Sequence, residues 1–301
     1  MRIAILFTCY NRIEKTRGCI QTIEDAIAYA NAHGIDIEEE WYIADAGSDD
    51  GTNDMLSDVI DVSKLHMRVE NDVYYSQGMR IAMEMCKEDN QKREFDYVFM
   101  INDDVSFDKK FLYKMISKYQ EKANDGEVED TSENTIYVGA TCSEANKQSY
   151  GGARYDKPVS KKNGLVPRSI HYSMVKINDD NLTCHTFNAN CVMIPYNIFM
   201  ACDIMDKAYV HGLGDFDYGM SLYREENNIV STDFYVGVCD NNSKTGTWLD
   251  KSLGRKARVR ALNSVKGAPT KKWFYYLNKH FGFATAVVHS VSPYVRILLK
   301  K

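Results

Sequence analysis

Phe95-Asp-Tyr-Val-Phe-Met-Ile-Asn-Asp-Asp-Val105 is the stretch whose reading decides the fold. Its middle, Tyr97 to Ile101, is a short unbroken apolar run rich in aromatic and β-branched side chains, which reads as a strand buried on both faces of a parallel sheet. Asn102, Asp103 and Asp104 follow with no residue between, so hard oxygen ligands sit at the carboxyl edge of a central strand, where open α/β sheets bind their ligands. That edge suits a metal ion and a phosphate. On these residues alone the same Asn-Asp-Asp also serves as a plain turn, with Asp108 capping the next helix.

Working outward, the pattern repeats on the N-terminal side. Arg2 to Cys9 reads as a first strand that breaks at Thr8-Cys9-Tyr10-Asn11-Arg12, and Cys19, Ile23, Ala26, Ile27 and Ala30 recur at helical spacing before a stop at Gly34. Trp41 to Ala44 forms a second strand that ends in the turn-rich Asp45-Ala46-Gly47-Ser48-Asp49-Asp50-Gly51-Thr52, with a helix from about Asn53. Leu65 to Glu70 is a third strand, and Met79, Ala82, Met83 and Cys86 make one apolar helix face after Ser76. Beyond the organising strand, Phe111, Leu112, Met115, Ile116 and Tyr119 predict another helix, followed by an exposed acidic loop at Asp125 to Glu133. Strands are expected at Ile136 to Cys142, within His185 to Pro195, and at Ile229 to Cys239, with a helix opened by His211 to Gly219 and running through Arg224. About thirty polar residues after Arg154 have no periodicity. Strand-helix units in succession argue for a Rossmann-like, mostly parallel sheet.

The chain has 301 residues, 44% of them hydrophobic, enough for a sizeable core. Its eight cysteines contain no Cys-x-x-Cys pair and the N-terminus lacks a long apolar signal core, so free thiols in a reducing cytoplasm are expected and structural zinc is disfavoured. The net charge of -5 is uneven: residues 251–301 carry twelve Lys or Arg and no Asp or Glu. With Trp273, Phe274, Tyr275, Tyr276, Leu277, Phe281 and Phe283 among them, this segment suits an anionic membrane surface, with a nucleic-acid patch or a solvated tail as the alternatives. Lys279, His280, Gly282, His289 and Pro293 interrupt it too often for a spanning helix. Catalytic Ser-His-Asp, Gly-x-x-x-x-Gly-Lys and Gly-x-Gly-x-x-Gly arrangements at a strand end are missing, which leaves hydrolase, kinase and dehydrogenase readings unsupported.

Four motifs in order, Tyr10-Asn11-Arg12, Asp45 to Thr52, Asn102-Asp103-Asp104 and Gly214-Asp215-Phe216-Asp217, resemble glycosyltransferase family 2, the inverting enzymes of the GT-A fold. The resemblance spans about residues 1 to 240. Gln77-Gly78-Met79-Arg80, Tyr150-Gly151-Gly152, Asn188-Ala189-Asn190-Cys191 and Gly214 to Gly219 narrow it to the rhamnosyltransferase-like branch of bacterial surface-polysaccharide enzymes. Two departures stand out. Asn102 occupies the first place of the family's Asp-x-Asp, and the usual Thr-Tyr-Asn-Arg is here Thr8-Cys9-Tyr10-Asn11-Arg12.

The resemblance implies a GT-A domain over residues 1–250, with a donor half at about 1–125 and an acceptor half at about 136–250, and a basic helical segment at 251–301. It implies a UDP- or dTDP-sugar donor, a divalent metal (Mn or Mg), a lipid-linked glycan acceptor, and a cytoplasmic protein peripheral at the inner face of the cell membrane. Asp104 with Asn102 would hold the metal, and Asp103 would face the ribose or base. Asp215 would be the general base, ionised more readily at a helix N-terminus though less basic for it, with Asp217 in reserve. Asp45 would meet the nucleobase or ribose; Thr8, Tyr10, Asn11, Arg12, Gly78, Met79 and Arg80 complete the nucleotide-sugar side. Tyr150, Gly151, Gly152, His211 and Trp248 are candidates for the sugar or acceptor pocket, although a turn, a scaffold histidine and a core tryptophan explain them equally. A sugar nucleotidyltransferase and a non-catalytic glycan-binding module are the alternatives.

Overall fold

β1 (Arg2–Cys9) takes β2 (Glu38–Asp45) on one side and β4 (Tyr97–Ile101) on the other, both parallel to it. Its side chains alternate between two cores, as strand geometry requires. Ile3, Ile5, Phe7 and Cys9 pack with α1 (Ile13–Ala32), α2 (Thr52–Val59) and α4 (Phe111–Asn124), whereas Ala4 and Leu6 pack with α3 (Tyr75–Asp89). All five residues of β4 are buried, in keeping with a two-faced strand. β3 (Leu65–Val69) closes this edge, parallel to β2. The computed structural model describes residues 1–89, 94–124, 135–156 and 170–299. The acidic stretch 125–133 and part of the polar segment after Arg154 lie outside them.

The other half of the sheet departs from a purely parallel plan. β11 (Cys191–Pro195) is inserted antiparallel between β4 and β6 (Thr135–Cys142). β12 (Asn228–Val238) then runs parallel to β6, and β5 (Ser106–Phe107) pairs antiparallel to β12. The order β3-β2-β1-β4-β11-β6-β12-β5, with β7 (Gln148–Tyr150) on β6, is a mixed α/β sheet flanked by helices. Composition could not reveal the direction of β11, because a strand buried on both faces has the same apolar run either way. Its reversal has a consequence for the site. Cys191 pairs with Ile101, so the residues just before β11 arrive beside the acids just after β4, and the Asn102 N–H donates to the Asn190 carbonyl at 3.3 Å.

A small second sheet, β10-β8-β9, is formed by β8 (Gly152–Tyr155), β9 (Tyr172–Met174) and β10 (Thr186–Phe187). α6 (Gly214–Arg224) packs with α8 (Thr270–Phe281) and α9 (Phe283–His289) of the C-terminal segment, in which α7 (Arg255–Leu262) contacts α10 (Ser292–Leu298). The expected helical tail is therefore part of the body of the protein. Tyr276, Leu277 and Ala286 join Tyr155, Tyr209, Phe216 and Met220 in a third apolar core, with Trp273, Phe274 and Phe281 packed against it. Of the six aromatic residues expected to face a membrane, Tyr276 is a core residue, Trp273, Phe274 and Phe281 are partly buried against that core, and Tyr275 and Phe283 are exposed. Burial of a large apolar side chain contributes about 1.5–3 kcal/mol, so packing accounts for the buried part of this cluster. Among the described residues no helix is long and apolar enough to cross a membrane.

Candidate active site

A cleft of about 1800 Å³ opens over the carboxyl ends of β1, β2, β3 and β4. Single-ligand sites usually occupy roughly 300–1,000 Å³, so this cleft has room for two substrates side by side. One wall comes from the strand ends, with Thr8, Tyr10, Asn11, Arg12, Gly47 and Asn102 to Asp104. The other comes from Asp215 and Phe216 of α6 and from the C-terminal segment, including Trp248, Lys266, Trp273 and Arg296.

Arg12 ties the acids together. Its guanidinium donates to Asp103 Oδ1 at 3.1 Å and Asp104 Oδ2 at 3.0 Å, and Thr16 donates to the other Asp103 oxygen at 3.0 Å. Asp103 is buried, and that desolvation pushes its pKa up to about 6 against the opposing pull of Arg12 and Thr16. Asp104 is the more open of the two, with Oδ1 3.6 Å from the Cys239 thiol at the end of β12. A divalent cation fits this edge on one observation beyond the carboxylates. The Asn102 side-chain oxygen is buried without a hydrogen-bond partner, a hard ligand atom one residue from the acidic pair. The described residues also bring Glu40, His66 and Asp89 together, but this group lies off the cleft, and Arg2 and His66 already engage Glu40.

Asp215 lines the cleft, half-buried, at the start of α6. The Phe216 N–H donates to Oδ1 at 2.9 Å and the Asn188 amide reaches Oδ2 at 3.5 Å. Desolvation raises its pKa above the ordinary carboxylate value, and these hydrogen bonds only partly oppose the shift. Burial therefore outweighs the helix N-terminus that the sequence suggested would lower its basicity. The buried hydroxyl of Tyr75, which has no hydrogen-bond partner, lies within electrostatic reach of both Asp215 and Asp104.

Asp217 is two residues away and faces elsewhere. It accepts from the Tyr209 hydroxyl at 3.0 Å and from His280 Nε2 and Lys279 Nζ, each at 2.7 Å, away from the cleft. Positions two apart on a helix point to different sides, so the reserve candidate for the base leaves the cleft. Asp217 fastens α6 to α8.

Several other expected contacts are also supports. Asp45 is fully buried and accepts from the Ser48 hydroxyl at 2.5 Å, shaping the loop after β2. Asn11, with φ 47°, exchanges hydrogen bonds with Asp49, and Asp50 accepts the Ile13 N–H at the start of α1. A Cβ on Gly78 would stand 2.1 Å from Thr8 Oγ1, so this glycine lets α3 approach β1; Met79 is core. Gly152 allows similar proximity to Cys184, and neither it nor Gly151 lines the cleft. Arg80 pairs with Glu84 in a separate depression beside Asp217. Tyr150 and Trp248 do line the cleft, as does His211, whose pKa is lowered by burial and by Lys266, Lys272 and Arg12. Sequence reasoning assigned no role to Tyr75, Asn188, Asn190 or Cys239, all of which line the cleft. Asn188-Ala-Asn-Cys, polar residues immediately before an apolar strand, was the available signal.

A mostly parallel sheet that collects acids at its carboxyl edge, facing a carboxylate on a later helix, is the architecture of the GT-A glycosyltransferases. Residues 4–135 match the family model described as Glycosyl transferase family 2, and with the fold this match supports a glycosyltransferase family 2 protein. No curated protein matches it by sequence. It is similar in fold to S. aureus TarS 1-349 in complex with UDP-GlcNAc, with TM-score 0.54, 12% identity, and 99% of this chain and 81% of that chain covered. It is similar also to the mannosyltransferase PcManGT from Pyrobaculum calidifontis in complex with GDP-Man and Mn2+, with TM-score 0.53, 9% identity, and coverage of 99% and 73%.

Proposed function

We propose that this glycosyltransferase moves a sugar from a nucleotide-sugar donor to a hydroxyl of a lipid-linked glycan, with inversion, at the inner face of a bacterial membrane. One observation carries the reading: Asp104 and Asp215, from different elements, open on one cleft large enough for donor and acceptor together. The nucleotide sugars bound to the two structural neighbours agree with it. The family match favours sugar transfer over nucleotidyl transfer or a binding module.

Asp215 is the base. Its carboxylate takes the proton of the acceptor hydroxyl as that oxygen attacks the anomeric carbon, while the bond from this carbon to the diphosphate oxygen breaks on the opposite face. A raised pKa suits it, because a base works best with a pKa near the operating pH. Asn188 and the Phe216 N–H fix its orientation. A divalent cation, Mn or Mg, held by Asp104 and Asn102, would neutralise the charge that develops on the departing diphosphate. Arg12 adds positive charge on the donor side, and Trp248 and Trp273 offer flat apolar faces to sugar rings. The donor half is residues 1–125, the acceptor half is 136–250, and residues 251–301 complete the acceptor wall.

Thermal-shift measurements with UDP, dTDP and GDP, each with and without manganese, test the reading. Binding at 100 times Kd stabilises the native state by about 2.7 kcal/mol. One nucleotide should raise Tm by several degrees, more so with manganese; no shift with any of the three would overturn the proposal.

A further inference from the structure

We propose that the outer face of α9 and α10 docks on an anionic lipid bilayer. Among the described residues sixteen large hydrophobic side chains are exposed, and seven of them fall within residues 283–299. Phe283, Val287, Val291, Val295 and Leu298 follow one another at steps of four, four, four and three, so they form a single stripe. Val288 and Leu299 widen it. Ser290 and Val291, between the two helices, keep right-handed helical dihedrals, which carries the stripe from one helix to the next. Phe283 is 68% exposed and Leu298 61%, while Ala286 and Ile297 on the other side of the same helices are fully buried. An apolar stripe of this length on a packed helix pair has no role in the core.

Charge selects the occupant. α7 packs against α10 and exposes Arg255, Lys256 and Arg260, and Arg296 is exposed within α10. No Asp or Glu occurs anywhere in residues 251–301. An apolar stripe with Arg296 on one of its own helices, in a segment that has cations and no acids, matches a bilayer with anionic headgroups, each Lys or Arg near the surface contributing about 1 kcal/mol. Position gives the docking a purpose, which rests on the lipid-linked acceptor proposed above. His289, Ser292, Pro293 and Arg296 line the cleft from these same helices, so docking would set the acceptor end of the cleft at the headgroup layer.

The test is sedimentation of the full chain with vesicles of phosphatidylcholine, alone or mixed with phosphatidylglycerol. Binding is expected to the mixed vesicles, to weaken at high salt, and to fall at least about tenfold in the double variant Val291→Glu, Val295→Glu. Val62→Glu, at an exposed apolar position outside the C-terminal helices, should bind as wild type does. Unchanged Tm would establish that the variants are folded. Equal binding by the double variant overturns the proposal, and so does a wild-type chain that ignores both vesicles. A wild-type dimer that the double variant splits, without vesicle binding, would assign the face to a second copy instead. The nucleotide thermal shift, run on the same samples, separates this outcome from the fate of the donor site.

Discussion

Asp215 and Asp217 are two residues apart, and their replacement should separate chemistry from architecture. Asp217 accepts three hydrogen bonds, from His280, Tyr209 and Lys279, with its own side chain 2% exposed. Burial lowers the pKa of His280 despite Asp217, so near neutral pH it donates to the carboxylate as a neutral imidazole. A hydrogen bond to a charged group is worth about 1.5–3 kcal/mol. Lys279 is 32% exposed and adds about 1 kcal/mol or less after screening. Asp217→Ala strands the His280 and Tyr209 donors in a buried site, and the combined cost, less than additive, is about 3–5 kcal/mol. At roughly 2–3 °C per kcal/mol for a chain of this size, Tm should fall by about 6–15 °C. The Asn variant keeps one acceptor oxygen and should lose less than half of that. The assay is a thermal melt by circular dichroism alongside nucleotide binding. A Tm within about 2 °C of wild type for Asp217→Ala, together with loss of transfer, would refute the anchoring role and return Asp217 to the chemistry.

The other predictions follow from the same geometry. Because Asp215 has a raised pKa in the folded chain, the fold disfavours its ionised form; this penalty is absent below the unfolded pKa and complete above the folded one, so Asp215→Asn should raise Tm at neutral pH. Asp103 has the same sign, and stability should decline as pH rises from about 4 to about 6, a slope that urea titrations across that range would detect. Gly78→Ala forces a Cβ against Thr8 and should cost about 1–3 kcal/mol in urea unfolding, whereas Gly18→Ala, with open space around its Cβ, should not. A chain ending at Asp250 loses the partners of Tyr209, Phe216 and Met220 and should fail to melt cooperatively in calorimetry.

Much of the donor-side sheet was legible because each strand there ends in a turn whose polar residues differ from the apolar run before them. Arg2 to Cys9 and Tyr97 to Ile101 were read to the residue for this reason. Periodicity specifies a face, not a neighbour, and the misreadings come from that gap. Strand direction in β11, the inward turn of Asp45 and Asp217, and the packing roles of Gly78, Met79 and Gly152 all depend on partners distant in sequence. Residues 251–301 were read from composition as a surface tail, yet alternate sides of their helices do different work. Tyr276 and Ala286 enter the core, His289 and Arg296 reach the cleft, and Phe283 to Leu299 leave an apolar stripe outside.

The most direct measurement of the central claim compares wild type and Asp215→Asn for both sugar transfer and donor-nucleotide binding. Removing a general base costs typically about 10²–10⁴ in rate while leaving the nucleotide subsite intact. The account predicts transfer reduced by at least about a hundredfold with nucleotide affinity unchanged within about threefold. Transfer by Asp215→Asn at the wild-type rate would contradict it.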